Sequence, residues 1–387
     1  MMNYDNLFSD KVKTIKPSGI RKFFDIAAEF DDVLSLSIGE PDYHTPWHIR
    51  EAGIESLEHG RTKYTANSGM RELREECCSY LKRRLNLSYS EDEILITVGG
   101  SEGIDLAIRT LVNPGDEVLV PEPSFVCYSP VTVLAGGVPV PIVTKKEDDF
   151  KLTAAALKKA ITPKTKLLVL PYPNNPTGAI MTKSELGAIA RVLRGTDIMV
   201  LSDEIYAELT YGTRHVSIAS LDGMRERTII INGFSKAFSM TGWRLGIAAA
   251  PRPVIKKMTL VHQYGIMSAP TTSQYAAVEA LRNGDNDIED MRMGYDRRRK
   301  LILAGIRDMG LSCFEPFGAF YIFPDISEFG MSSNEFCERL LREQRLAVVP
   351  GSAFGDSGDG FLRISYAYSV ENIELALERL KRFIDKL

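Results

Sequence analysis

No apolar run in the 387 residues approaches the roughly 20 needed to cross a bilayer, so a membrane-embedded role is not expected. Cysteine is scarce. The five present (Cys77, Cys78, Cys127, Cys313, Cys337) form no CxxC pair and no metal-ligand spacing, and their odd number reads as reduced, mostly buried thiols. Five histidines are equally scattered. His44 and His48 stand four apart, but Pro46 lies between them and no Glu occupies the place of a zinc-protease base, so no metal is expected. Charge of one sign is lacking too: a formal net charge of −4 argues against a nucleic-acid-binding surface. The opening MMNYDNLFSDKVKTIKPSG has no apolar stretch of secretory type, which sets the expectation of a cytoplasmic protein. Internal repeats, low-complexity segments and Pro/Ser-rich linkers are absent as well.

What is present is an ordinary globular composition, 44% hydrophobic and 25% charged. The length exceeds what one compact core usually absorbs, so two domains are expected. From residue 46 the pattern alternates helix and strand, the mark of crossover units around a mostly parallel sheet. Pro46 opens one helix and Gly60 closes it; Ser68 is a candidate cap for the next, where Leu73, Cys77 and Leu81 recur every four residues. The runs 94–98, 117–120, 167–170, 198–201 and 228–231 are nearly continuous apolar segments, which predicts an α/β fold whose sheet is covered on both faces. The last hundred residues read as a smaller α+β domain, with the first forty packed onto it. The expected division is 46–284 for a large domain, and 1–45 with 285–387 for a small one.

Open α/β sheets place their ligand sites at the carboxyl ends of strands, so the residues following each run matter most. After the first comes Gly99-Gly100-Ser101-Glu102-Gly103 and an amphipathic helix, whose free N–H groups suit a phosphate. This segment reads equally well as a tight turn, and it lacks the GxGxxG pattern of a nicotinamide oxidoreductase. After the third comes Pro173-Asn174-Asn175-Pro176-Thr177-Gly178, a rigid loop able to aim an amide. Asp203 ends the fourth; a carboxylate there costs several kcal/mol unless a cation meets it. After the fifth come Ser235 and Lys236, with Arg244 eight residues on. Burial and a neighbouring cation would depress such a lysine toward Schiff-base reactivity, and Arg244 is suited to grip a phosphate. Two other features read blandly: Arg297-Arg298-Arg299-Lys300 as the solvated face of a helix, and Gly355–Gly360 as a flexible loop.

The ordered blocks Pro173–Gly178, Ser202-Asp203-Glu204-Ile205-Tyr206 and Ser235-Lys236…Thr241-Gly242-Trp243-Arg244 resemble class I/II aminotransferases of the pyridoxal-phosphate fold type I. The likeness extends to Ser37–Asp42, Tyr64, Gly318–Tyr321 and Phe361–Ser365. It implies a large cofactor-binding domain with a mostly parallel seven-stranded sheet between helices, plus a smaller α+β domain built from both termini. It also implies pyridoxal 5'-phosphate held covalently by Lys236, which shuttles the substrate proton. Asp203 then pairs with the pyridinium nitrogen, and Asn175 and Tyr206 bond the ring oxygen. Phe125 stacks on the ring; the backbone of Gly100, Ser101 and Glu102, with Ser235 and Arg244, holds the phosphate. Arg363, with Asn175 and the Gly39 backbone, binds the substrate carboxylate. Tyr64 reaches the phosphate of a neighbouring subunit, which implies a homodimer with shared sites. Ser18-Gly19-Ile20-Arg21-Lys22-Phe23 and Val261-His262-Gln263-Tyr264 are most similar to the bacterial N-acetyl-L,L-diaminopimelate and aromatic aminotransferases. They suggest an aromatic, bulky or acylated diamino donor, with 2-oxoglutarate as acceptor. A C–S lyase or decarboxylase of the same fold stays open, since fold does not determine reaction. A regulator would need a DNA-binding domain that the sequence has no spare residues to supply.

Overall fold

The computed structural model describes residues 2, 4–17, 19 and 32–387. The Ser18–Phe23 motif lies outside the described residues, Gly19 excepted. After a short first strand, β1 (Leu34–Ser35), seven strands form one sheet: β2 (Ile94–Thr97), β3 (Glu117–Glu122), β4 (Val138–Val143), β5 (Thr165–Leu170), β6 (Met199–Asp203), β7 (Thr228–Gly233) and β8 (Gly246–Ala249). Their order is β2-β8-β7-β6-β5-β3-β4. β8 runs antiparallel to both neighbours, and the other pairs are parallel. The seven-stranded α/β sheet is thus found as expected.

Continuous apolar strands demand cover on both faces, and they have it. Ile94, Ile96, Ile230 and Ile247 pack with Leu73, Cys77 and Ala276 from the helices Arg71–Leu85 and Thr271–Asn283. Leu95, Ile229, Ile231 and Ala248 face the other way, onto Ile104, Ala107 and Ile255 of the helices Gly99–Leu111 and Arg252–Gly265. Truncating one of these isoleucines to Ala would cost about 2–5 kcal/mol. Two strands had no run to betray them. β4 is VPVPIV, and its prolines are tolerated because it is an edge strand with few N–H groups to pair. β8 is short and built of Gly and Ala around one Ile. The Ser68 cap is a correction: the helix begins at Arg71, and the Gln274 side chain accepts from the Met70 N–H at 2.7 Å.

The C-terminal part holds β9 (Tyr321–Ile322), β10 (Leu346–Ala347), β11 (Val349–Pro350) and β12 (Leu362–Ser365). β12 lies between β11 and β9, antiparallel to both, while β1 pairs parallel with β10. The helices Asp285–Asp308, Ser333–Gln344 and Val370–Ile384 cover them around Phe320, Phe336, Leu340, Leu380 and Phe383. We propose the division 46–284 against 1–45 and 285–387 on the strength of this separate core. Contacts cross it in both directions. Tyr206, Leu209 and Tyr211, from the loop after β6, join the C-terminal core. The helix Asp10–Thr14 reaches the other way, Lys11 Nζ donating to Leu134 O at 3.1 Å.

Two bland expectations hold only in part: Arg297 and Lys300 are exposed as a solvated face requires, but the two arginines between them are engaged. Arg298 pairs with Asp42 at 2.7 Å, and buried Arg299 pairs with Asp296 and Glu315, both at 2.8 Å. They hold loops onto the long helix rather than facing solvent. The Gly355–Gly360 stretch is packed: it contains a short 3-10 turn at Asp356–Gly358, and Gly358 is buried.

His48, dismissed as a metal ligand, sits between Glu279 (2.6 Å) and Asp287 (3.0 Å), tying the helix Trp47–Glu58 to the start of the long helix. Burial opposes its charged form, but hydrogen bonds and charge from Asp287 and Glu279 prevail and raise its pKa. A raised folded-state pKa stabilises fully below the unfolded value of ~6.5 and loses that contribution as pH rises through the folded value. His48→Gln is therefore expected to lower the melting temperature at pH 5.5–6.5, with the two curves converging at alkaline pH. Parallel melting curves across that range would refute the clamp.

Candidate active site

The carboxyl ends of β2, β5, β6 and β7 open into a cavity of about 390 Å³, closed from the other side by β9 and β12. Its lining includes Gly39, Gly100, Ser101, Phe125, Asn175, Asp203, Tyr206, Ser235, Lys236, Arg244 and Arg363. Residues separated by more than 300 positions thus meet in one place.

Lys236 lies in the four-residue helix Phe234–Ala237 at the end of β7, whose neighbours Phe234 and Ala237 are buried. Its Nζ donates to Gly39 O at 2.6 Å and stands 5.6 Å from the Phe320 ring centroid. Burial lowers its pKa to about 8, with Glu40 opposing and the charges of Arg363 and Arg244 assisting. The amine is therefore appreciably neutral near physiological pH.

Asp203 closes β6. Its carboxylate accepts from Tyr128 Oη at 2.7 Å and from the Ile205 N–H at 3.2 Å. Among the described residues no cation pairs with it, and burial raises its pKa despite those two donors. The cationic partner expected from the sequence is thus not supplied by the described residues. Arg363, on β12, is in the reciprocal position. It is 2% exposed, donates to Ser37 O and to Asn175 Oδ1 (3.3 Å), and has no carboxylate partner among the described residues. Its Nε is buried with no acceptor. The guanidinium lies over the rings of Tyr321 (4.7 Å) and Phe354 (4.9 Å), and burial lowers its pKa.

The end of the cavity next to Arg244 is built by the helix Gly99–Leu111. Gly99 has φ +75°, and a Cβ there would meet Arg244 Nη2 at 2.5 Å, so glycine lets the guanidinium close over the turn. Arg244 itself is left-handed (φ +52°) and donates to Thr241 O at 2.9 Å. The Glu102 side chain turns away from the cavity, accepting from the Val98 N–H and pairing with His262 Nδ1 at 2.7 Å.

Of the residues singled out in the sequence, Tyr64 alone stands well apart: it is 82% exposed and does not line the cavity. Asn175 carries a contact that was not expected, with Arg363. Sequence reasoning missed Tyr128, three residues after Phe125, because nothing local marks it as a partner for Asp203. It quoted Tyr321 within a motif without seeing that its hydroxyl meets that of Tyr206 at 2.8 Å. Glu40 and Thr241, hydrogen-bonded to each other at the mouth, were also missed.

Comparison with known proteins agrees with this geometry. The family described as aminotransferase class I and II matches residues 31–380. A putative aminotransferase, YugH, of Bacillus subtilis (strain 168) is 54% identical, covering 98% of each chain. An aspartate aminotransferase of Pyrococcus abyssi is 47% identical, over 97% of this chain and 98% of its own. The crystal structure of an aromatic aminotransferase from Pyrococcus horikoshii superposes with a TM-score of 0.90 at 45% identity, covering 95% of this chain and 99% of that one.

A buried guanidinium without a carboxylate contributes little to stability. Arg363→Met is expected to cost the ligand-free protein less than about 1 kcal/mol in chemical denaturation, while weakening binding of 3-phenylpropanoate roughly tenfold or more. A large loss of stability would mean that the charge is already compensated within the chain.

Proposed function

This chain belongs to the class I and II aminotransferases, and from that premise we propose that it moves the amino group of an aromatic, bulky or acylated diamino L-amino acid to a 2-oxo acid such as 2-oxoglutarate. It is an aminotransferase, and its cofactor is pyridoxal 5'-phosphate. The residues fit that cofactor: Asp203 is a buried carboxylate short of a cation, Lys236 an amine with a lowered pKa, and Gly99–Ser101 a helix start beneath Arg244.

Bound pyridoxal phosphate supplies an aldehyde carbon that takes up amino groups and a ring that withdraws electrons from the substrate's Cα. Asp203 would hold the ring nitrogen protonated, and its own charge would thereby be compensated. The N–H groups of Gly100, Ser101 and Glu102, the Ser235 hydroxyl and Arg244 would grip the phosphate. Asn175 and Tyr206 would bond the ring oxygen, and Phe125 would supply an apolar surface for the ring. Arg363 would bind the α-carboxylate, its Nε gaining the acceptor it lacks, and so aim Cα at Lys236. The neutral Lys236 Nζ would take the proton from Cα and pass it to the cofactor's C4′ within the same half of the cycle, and would carry a proton the opposite way in the second half. Transfer in two halves through one site gives ping-pong kinetics.

The observation that carries the substrate class is an inventory of cations. Among the described residues the cations that line the cavity are Lys236, Arg244 and Arg363, and the three roles above engage all of them. No further cation among the described lining residues is left for a side-chain carboxylate, while Ile38 and Glu40 flank the mouth. A neutral or apolar side chain matches this surface.

We further propose a homodimer with shared sites. Tyr64 and Tyr264 are 82% and 83% exposed, Ile266 and Met267 are exposed near them, and Asn67 Nδ2 bonds Met267 O at 2.8 Å to draw the two segments together. Such a surface fits a second copy, whose phosphate Tyr64 would reach. No helix among the described residues is long and apolar enough to cross a membrane, and we propose the cytoplasm as the place of work.

Purified protein given a panel of amino donors with 2-oxoglutarate is expected to convert aromatic and bulky amino acids at least as well as aspartate, read by mass spectrometry. Turnover of aspartate alone would refute the substrate reading, and steady ammonia release without an acceptor would favour lyase chemistry. Lys236→Ala is expected to lose transamination by at least about 10⁴-fold. Tyr64→Phe is expected to weaken cofactor affinity several-fold without altering the dimer's mass in solution.

A further inference from the structure

Tyr321, on β9, is fully buried and lines the same cavity. It touches three of the residues given roles above, through its hydroxyl, its ring or both. Its hydroxyl meets the Tyr206 hydroxyl at 2.8 Å. Its ring lies beneath the Arg363 guanidinium, 4.7 Å from centroid to Cζ, and edge-on to the Tyr206 ring at 5.9 Å. Its hydroxyl also packs against Gly39 so closely that a Cβ there would overlap it. Gly39 is the residue whose carbonyl accepts from Lys236. Phe320 packs edge-on to both Tyr206 and Tyr321, so the ring has little freedom to move.

We propose that Tyr321 is a positioning residue that supports both ends of the site at once, its ring carrying Arg363 and its hydroxyl holding the Tyr206 hydroxyl toward the cofactor. The two functions are chemically separable. A guanidinium buried without a carboxylate gains from the negative face of an aromatic ring, which any aromatic side chain provides. A hydroxyl that donates to a cofactor oxygen is strengthened when it accepts a hydrogen bond in turn, and that needs the Tyr321 oxygen. The tightness at Gly39 gives the hydroxyl a further consequence: it forces a glycine at the position where the chain crosses in front of Lys236.

This inference rests on the site reading above, and its test is separable from that reading. The parent holoenzyme must first show a cofactor absorption band that titrates with pH and that Lys236→Ala lacks. In Tyr321→Phe, Tyr206 becomes a weaker donor to the cofactor's phenolic oxygen, whose full negative charge accompanies the deprotonated form. The midpoint of the titration is therefore expected to rise by roughly 0.4–1 unit, the equivalent of one neutral hydrogen bond. Affinity for 3-phenylpropanoate should stay within about twofold of the parent, because the ring remains. In Tyr321→Leu that affinity is expected to fall roughly tenfold, and kcat/KM to fall mainly through KM. Gly39→Ala should impair cofactor binding in the parent and less so in the Tyr321→Phe background, where the overlapping oxygen is gone. An unchanged midpoint in Tyr321→Phe overturns the role of the hydroxyl. Undiminished affinity for the acid in Tyr321→Leu overturns the role of the ring.

Discussion

Three ionisable side chains, Lys236, Asp203 and Arg363, are brought into one cavity and kept from neutralising one another. That separation is the constraint on which the rest of the arrangement depends. Were Asp203 free to pair with Lys236 or Arg363, the cavity would satisfy itself and bind little. Instead Asp203 is held by a tyrosine hydroxyl and a backbone N–H, Lys236 by a carbonyl, and Arg363 by a carbonyl, an amide and two rings. Each partner is neutral. Each charge is therefore desolvated without being cancelled, which is the condition under which a ligand of complementary charge gains most.

The fold makes that arrangement affordable by fixing each group to a different rigid element. Asp203 ends β6, Lys236 follows β7, and Arg363 lies within β12, with buried neighbours on either side. Strand ends packed on both faces by apolar side chains hold the opposite charges where they are. The loop after β6 joins the two halves, since Tyr206, Leu209 and Tyr211 lie in the C-terminal core while Asp203 stays in the large sheet. Tyr211 also donates to Ala319 O at 2.5 Å, next to the strand that bears Tyr321. The strand end that bears Asp203 and the core that carries Tyr321 and Arg363 are in this way joined through one loop.

Much of this could be read from sequence because it is local. Continuous apolar runs gave five of the seven strands of the large sheet, and the residues immediately after them gave Asp203 and Lys236. Other features were invisible for identifiable reasons. β4 and β8 were missed because prolines and small residues dilute the apolar pattern, although an edge position and tight packing accommodate them. Arg298 and Arg299 looked like a solvated face because Asp42 and Glu315, with which they pair, are brought to the helix by segments outside it. Tyr128 and Tyr321 carry no local mark of their roles, which consist of hydroxyls aimed at residues 75 and 115 positions away.

The sequence by itself determined the class of sheet, through continuous apolar runs, and carried the ordered motifs whose resemblance to class I/II aminotransferases singles out Lys236 and the candidate cofactor residues. Both are legible because each lies in a short segment next to a buried strand. Only the tertiary structure decided which polar groups remain unpaired. That Asp203 meets no cation and Arg363 no carboxylate among the described residues, and that Tyr321 touches both Tyr206 and the Arg363 guanidinium, are facts about distances between segments far apart in the chain. Charge compensation is a property of the space around a group, and the chain order does not encode that space in any single stretch.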